Sequence, residues 1–290
     1  MLKRFAALFI VSTACLNIVQ ADIPNPLRNF WRQQETPMPP TIQVLVGHDL
    51  TQVQFEVVGK YKIIDPLSGK ELGTRFSGKS RPAQAIGSGI KWGEEFPGYH
   101  QITIIPTEMR TRIFVDGTEY RGTISIYDTG GTISVVNELP IEAYLISVMT
   151  HKYSPNLSEE ALAAFAIAER TNAYYQSQYP KTKFWAVDGA LSSFNGKIST
   201  GEDAPFQNAV KSTQCMVMST TSAYEGVVTP FPIQWDTGTK SPANASLKSG
   251  VPTLSVIEVE QMAQKGEHAA SILEKLFPRT TIQLIHFRNG

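Results

Sequence analysis

The chain has 290 residues, enough for one large or two small domains with a real core. Lys plus Arg and Asp plus Glu are each 26, and this balance argues against the basic surplus of a nucleic-acid-binding protein. Charged residues make up 18% against a usual ~25%, hydrophobic residues 42%, and cysteine occurs twice, which excludes a mainly disordered chain, a disulfide scaffold and a cysteine-rich zinc site.

In chain order, Lys3 and Arg4 precede an apolar run of 12 residues, Phe5 to Leu16, too short to span a bilayer as a helix. Val19 and Ala21 suit a cleavage site after Ala21, so residues 1–21 are expected to be a secretory signal peptide that sends the chain to the periplasm or cell envelope. A retained anchor and a lipoprotein signal at Cys15 are the alternatives. Cleavage removes Lys3, Arg4 and Cys15, leaving 24 of the 26 basic residues and Cys215 as the one thiol. No other stretch reaches ~18 uninterrupted apolar residues, so no transmembrane segment is expected in the mature chain.

Residues 22–41 form a Pro-rich lead-in, with five prolines between Asp22 and Pro40. Alternation and β-branched runs predict strands at 41–46, 53–57, 61–65, 101–105, 112–115, 122–127 and 132–136, so residues 42–136 read as mainly β. Pro140 suits a first helical position and Glu142 a first turn, which predicts a helix over 140–149 with Glu142 capping it. A longer helix opens at Ser158-Glu159-Glu160 and stops at Pro180. Loop and strand signals follow to about 256, then a helix over 258–276 and a strand over 280–287. Residues 137–290 are thus a mixed, helical part, and the fold class is α+β.

Few motifs carry chemistry by themselves. The five histidines show no metal spacing, and neither H-E-x-x-H nor C-x-x-C occurs, so no metal and no cofactor is expected. No nucleophile elbow or Walker loop appears. Asp128-Thr129-Gly130 and Asp236-Thr237-Gly238 are two copies of the aspartic-protease tripeptide, although such a tripeptide is also a common turn. Cys215 precedes Met216-Val217-Met218 and reads as a buried structural thiol on a strand.

Six motifs in order resemble the SpoIID/LytB family, stage II sporulation protein D and amidase enhancers. Val135-Val136-Asn137-Glu138-Leu139-Pro140-Ile141-Glu142-Ala143-Tyr144-Leu145 is similar to V-N-x-L-P-L-E-x-Y-L. Ala161-Leu162, Ala164, Ala166, Ala168 and Arg170-Thr171 are similar to E-A-L-K-A-Q-A-V-A-A-R-T. Tyr120-Arg121-Gly122 matches Y-R-G, and Ile42 to Lys70 resembles the opening strands. Met262 to Gly266 and Ile272 to Thr281 resemble the closing helix and I-L-x-x-Y-Y-P-x-T. The resemblance covers about 42–287. It implies a helix-containing core with a substrate groove that acts on peptidoglycan. Some members are lytic transglycosylases, which rest on one glutamate in a P-S-E-M-P loop, and others enhance a partner amidase.

That glutamate falls eighteen residues before the motif arginine, and in this chain the position holds Lys152, within Thr150-His151-Lys152-Tyr153-Ser154-Pro155. A lone acid must protonate the glycosidic oxygen and then accept a hydroxyl proton, which an ammonium cannot do as a carboxylate does. The family's P-Y-L-K strip stands here as Pro252-Thr253-Leu254-Ser255, without its Tyr and Lys, and its zinc-holding cysteines and histidines have no counterparts around 188–197. Arg170 is retained. Glu169 stands where the family has Ala, on the helical face of Phe165 and Leu162. Three readings stay open for it: an ion pair with Lys152, a relocated acid, or a solvent-exposed glutamate.

The expected function is therefore an exported SpoIID-like protein that binds peptidoglycan glycan strands, or assists a wall amidase, without cutting. One alternative is an active transglycosylase with its acid moved to Glu169, Glu142 or Asp188. A remoter one is an aspartic protease. His151, Tyr153, Glu142, Thr253 and Ser255 are the candidate substrate contacts, and Trp92, Trp185 and Trp235 are candidates for stacking on sugar rings.

Overall fold

The computed structural model describes residues 40–75, 78–196, 203–221, 227–236 and 253–285. The signal peptide and most of the lead-in fall on residues 1–39, outside the described residues. Among the described residues no helix is long and apolar enough to cross a membrane.

Period-two burial builds the first half. β2 (Val53–Val58) buries Val53, Phe55 and Val57 and turns Gln54 outward. β9 (Arg112–Val115) and β11 (Thr123–Asp128) follow the same rule, whereas β8 (Gln101–Pro106) buries Ile102, Thr103 and Ile104 in succession. The seven-stranded sheet runs β13 (Val187–Asp188), β1 (Thr41–Leu50), β12 (Ile133–Pro140), β11, β8, β3 (Tyr61–Ile64), β4 (Glu71–Arg75). A six-stranded sheet runs β10 (Thr118–Tyr120), β9, β2, β5 (Arg81–Ile86), β6 (Gly89–Trp92), β7 (Glu94–Pro97). Phe55, Ile63, Ile90, Ile104, Ile113 and Ile126 from both sheets form one apolar cluster. Pairing, not pattern, makes the strands that composition did not announce: β5 buries only Ala83 of its six residues and is held between β2 and β6.

β12 joins this cluster to a second one. Ile133, Val135, Asn137 and Leu139 alternate onto one face, and the register Ile42↔Leu139, Val44↔Asn137 puts Ile42 and Val44 there too. Ile133 and Val135 belong to the cluster between the sheets, whereas Leu139, Ile42 and Val44 belong to the helical one. Asn137 sits between the two sets, fully buried, and its Nδ2 donates to the carbonyls of Arg121 (2.7 Å) and Thr123 (3.0 Å). The residue between those carbonyls is Gly122, at φ +82°, where a Cβ would collide with the carbonyl oxygen of Glu138. The Y-R-G and V-N-E motifs are thus two halves of one backbone joint.

Among the described residues the helices are α1 (Ile141–Lys152), α2 (Glu159–Gln178), α3 (Gly189–Ser192), α4 (Ala204–Ser212), α5 (Val256–Gln264) and α6 (Ala269–Leu276). β14 (Met216–Ser219) and β17 (Thr281–Leu284) form an antiparallel pair, and β15 (Gln234–Asp236) and β16 (Thr253–Ser255) a parallel one. α2 buries Ala161, Leu162, every residue from Ala164 to Thr171, and Ala173, and it touches α1, α4, α5, α6 and β14. Small side chains let neighbours approach it from several sides. The α+β class read from the sequence holds, with the strand-rich half first.

Several boundaries differ from expectation. Pro140 ends β12 and flanks α1 as its N-cap instead of opening the helix. The single helix expected over 258–276 is two, because Gly266 takes φ +87° and ends α5 before His268 starts α6. The stretch read as loop and strand holds α3 and α4, the latter with Pro205 in its first turn. Cys215 lies outside β14, at φ +65°, and is half-buried instead of buried.

Replacing Gly122 by alanine is expected to cost about 2 kcal/mol, since a left-handed φ and a carbonyl clash act together. Thermal unfolding would show it as a melting point lower by about 5 °C. An unchanged melting point would mean that the joint yields.

Candidate functional site

Lys152 is the last residue of α1, and its side chain crosses to α2. Nζ donates to Glu169 Oε1 at 2.7 Å, and the Tyr153 hydroxyl donates to the same oxygen at 2.7 Å. The Tyr153 ring lies flat on Phe165, with centroids 4.4 Å apart and planes at 6°. Phe165 and Glu169 are four residues apart on α2, so one helical face supplies both the stacking ring and the carboxylate. Trp235 of β15 closes the far side: its ring centroid is 3.8 Å from Nζ, and it meets Tyr153 edge-on at 6.1 Å. The Lys152 ammonium is held by a carboxylate and an indole face.

Glu169 is 4% exposed, so the solvent-exposed reading of it is overturned and the ion-pair geometry is present. Burial lowers the Lys152 pKa, and the Glu169 charge partly offsets this. Burial, reinforced by the Glu169 charge, holds the Tyr153 phenol well above its usual value. Tyr153 is 7% exposed and its hydroxyl is engaged, so it is part of the core and not an open sugar contact.

The neighbouring residue of α2 reaches the other end of α1. Arg170 donates from Nε and Nη2 to the two oxygens of Glu142, at 2.8 and 2.7 Å. Its remaining donors meet the carbonyls of Val210 (3.1 Å), Met216 (3.2 Å) and Ala166 (3.4 Å) and the Thr213 hydroxyl (3.3 Å). Arg170 is 1% exposed, so it positions α1, α4 and the start of β14 against α2. Glu142 makes no capping bond to α1, against expectation, because the forked guanidinium takes both its oxygens.

The other candidates divide. His151 is exposed beside Lys152; its Nδ1 lies 2.8 Å from the Ser147 carbonyl and its Nε2 3.4 Å from the Asn195 amide. Thr253 and Ser255 flank Leu254, which pairs with Trp235, so residues 253–255 run beside the strand that carries the indole over Lys152. Ser255 Oγ accepts the Glu258 N–H as the cap of α5. Asp188 caps α3, accepting from Ala190 and Leu191. Asp128 accepts the Gly130 and Gly131 amides and binds His100, which makes its tripeptide a turn. Asp236 lies in a different sheet, and Thr237-Gly238 fall outside the described residues. Trp92 is buried between the β-sheets, and Trp185 is half-buried against His48. Trp235 as the lid on Lys152 had no local signal in the sequence, since only folding brings β15 to the end of α1.

The loop after Lys152 also walls a cavity of about 610 Å³. Pro155, Asn156 and Leu157 face Asn208 and Ser212 of α4 across it, with Leu162 of α2 also in its lining.

Residues 129–219 match the family described as SpoIID, stage II sporulation protein. An uncharacterised protein of Chlamydia muridarum (strain MoPn / Nigg) is 30% identical over 248 residues, covering 85% of this chain and 78% of its own. The chain belongs to the SpoIID family. An uncharacterised protein of Chlamydia pneumoniae is 29% identical over 248 residues, covering 84% of this chain and 82% of its own. One of Brachyspira hyodysenteriae (strain ATCC 49526 / WA1) is 44% identical over 61 residues, 21% of this chain and 17% of its own. The SpoIID match contains α1, α2, Lys152, Glu169 and Arg170, and it ends before Trp235.

Breaking the buried pair from one side leaves a charge unmatched. Lys152→Met and Glu169→Gln are each expected to lower stability by about 2 kcal/mol in urea unfolding, less than a fully buried pair because Lys152 is partly open. The double variant is expected to lose clearly less than the two together. Additive losses would show that the contact contributes nothing.

The pH dependence has two signs. Tyr153 keeps its proton in the folded chain past the usual ~10, so the unfolded chain releases protons first and stability falls above that pH. Lys152 holds its proton less tightly when folded, so its contribution rises as pH approaches the ordinary lysine value. Tyrosinate absorbance followed beside circular dichroism is expected to show Tyr153 and Tyr144, another buried phenol raised chiefly by desolvation, ionising only as the fold is lost. Full ionisation of all ten tyrosines in the folded chain would contradict this.

Proposed function

We propose that this SpoIID-family chain is exported to the cell envelope, grips peptidoglycan glycan strands there and leaves them uncut. The observation that carries the reading is Lys152 at the position of the family's glutamate, with its ammonium already committed to Glu169 and Trp235. Strand cleavage by transglycosylation needs one group that gives a proton to the glycosidic oxygen and takes one from a sugar hydroxyl. The three acids that could have replaced the glutamate are engaged elsewhere. Glu169 is buried under two donors, Glu142 is forked to Arg170, and Asp188 caps a helix.

Binding needs less than cutting. The cavity beside the loop offers amides on Asn156 and Asn208 with apolar surface from Pro155 and Leu157, a mixture suited to sugar hydroxyls and N-acetyl methyls. His151 stands exposed at the same loop. A strand held intact on this surface can be presented to a wall amidase, the partner class that the family resemblance implies.

Incubating the purified mature chain with sacculi tests the reading. The chain is expected to pellet with the sacculi while mass spectrometry of the supernatant finds no anhydro-muropeptides. Release of anhydro-muropeptides that stops in Glu169→Gln would establish a relocated acid instead. A chain that stays in the supernatant would remove glycan binding altogether.

A further inference from the structure

The loop between α1 and α2 walls the cavity of about 610 Å³ through Pro155, Asn156 and Leu157. Its first end is fixed in the core, where Tyr153 lies flat on Phe165 and donates its hydroxyl to Glu169. Its middle is held loosely. The Asn156 N–H reaches Ser154 Oγ at 3.3 Å and the Leu157 N–H reaches the Ser154 carbonyl at 3.4 Å, both long bonds. The position of the wall therefore depends on how the second end is held.

Ser158 is that end. It stands just before α2, where a serine ordinarily turns its oxygen to the first free N–H groups of the helix. Here it makes no such bond. Its hydroxyl donates to Glu260 Oε1 at 2.7 Å, and its N–H donates to Glu260 Oε2 at 3.0 Å. Both oxygens of one carboxylate on α5, 102 residues along the chain, thus hold one residue at the end of the loop. Gln264, one turn later on α5, donates to Oε1 at 2.8 Å and orients the carboxylate. Burial pushes the Glu260 pKa up, but the bonds from Ser158 and Gln264 outweigh it and hold the carboxyl below its usual value. Giving up a local cap for a distant contact is the kind of broken local rule that marks functional sites.

Glu160 makes a second tie of the same kind. Its Oε2 accepts the Ala269 N–H at 2.7 Å, at the start of α6, where His268 provides no side-chain cap. The start of α2 is clasped to both C-terminal helices.

We propose that Glu260 is a positioning residue for the cavity, holding the 153–158 loop where its wall can take a glycan strand. Glu260 is not among the described lining residues, so it acts through Ser158. The inference rests on the reading of this cavity as the glycan site. It goes beyond that reading by placing control of the site in α5, outside the residues 129–219 that match the family.

Two readouts on Glu260→Ala and Glu260→Gln test it, at a temperature well below the melting point of either. Hydrogen exchange reads the loop directly. The amides of 154 and 156–158 are expected to exchange about tenfold faster in Glu260→Ala, the factor that a lost charge-assisted pair of bonds is worth. Affinity for sacculi, from pelleting at graded sacculus concentrations, is expected to weaken about tenfold as well. Glu260→Gln keeps one carbonyl acceptor for Ser158 and is expected to fall between Glu260→Ala and the wild type in both. Glu258→Gln removes a neighbouring exposed charge outside the clasp and is expected to leave both as in the wild type. A residue that only stabilised the fold would lower the melting point and leave the affinity of the folded chain unchanged, and that result would overturn the proposal. So would wild-type exchange of the loop amides in Glu260→Ala. A wild-type chain that does not pellet would instead overturn the glycan reading, and with it the role of the loop in binding, so the two failures are told apart.

Discussion

A carboxylate on the buried face of a helix imposes conditions on everything near it. Glu169 sits in the middle of α2 and is 4% exposed, and an unpaired charge there would cost several kcal/mol. The neighbours answer that cost. Lys152 brings a positive charge from the end of α1, Tyr153 brings a hydroxyl, and the two aromatic rings of Phe165 and Trp235 enclose them. The same arrangement gives the Lys152 ammonium an internal partner while leaving its side chain partly open to solvent. A site organised around matching an internal charge differs in kind from one that keeps a single acid poised for proton transfer.

Arg170, the next residue, shows the other use of charge in this core. Its guanidinium is fully enclosed, and its donors are distributed over one carboxylate, three carbonyls and a hydroxyl from α1, α2, α4 and the residues at β14. Five donors in a rigid fork can satisfy that many partners at once, which the compact ammonium of lysine cannot. The alanines around it on α2 matter for the same reason. They bring neighbouring backbones close enough for their carbonyls to serve as acceptors. Arg170 therefore acts on the site by holding α1 at its first turn, while Lys152 is held at its last.

The joint at Asn137 and Gly122 governs how the helical part meets the sheets. One face of β12 faces the sandwich at Ile133 and Val135 and the helices at Leu139, and the crossing is marked by a buried amide instead of an apolar residue. The amide fixes the carbonyls on either side of Gly122, and so sets where the chain enters β11. Because α1 follows β12 directly, the register of this strand also sets the placement of Glu142 and, at the far end of the same helix, of Lys152.

The sequence by itself determined a good deal. Alternation and β-branched runs announced β2, β8, β9 and β11. Small residues announced α2 as a helix buried on several sides, and the motif spacing placed a lysine at the position where the family resemblance implies a glutamate. These features are local, carried by residues a few positions apart, so pattern alone reveals them. The tertiary structure decided the rest, because the deciding partners are far apart in the chain. Glu142 was legible as a first-turn acid but not as a ligand of Arg170, since a cap and an ion pair call for the same residue. Glu169 had three readings until folding buried it beside Lys152. Trp235 was legible only as a candidate for stacking on sugar rings until β15 pairing with β16 set its indole over the ammonium, and β5 became a strand only through its neighbours. Cooperative pairing and burial of charge depend on what arrives from elsewhere in the chain, and no window of sequence contains that information.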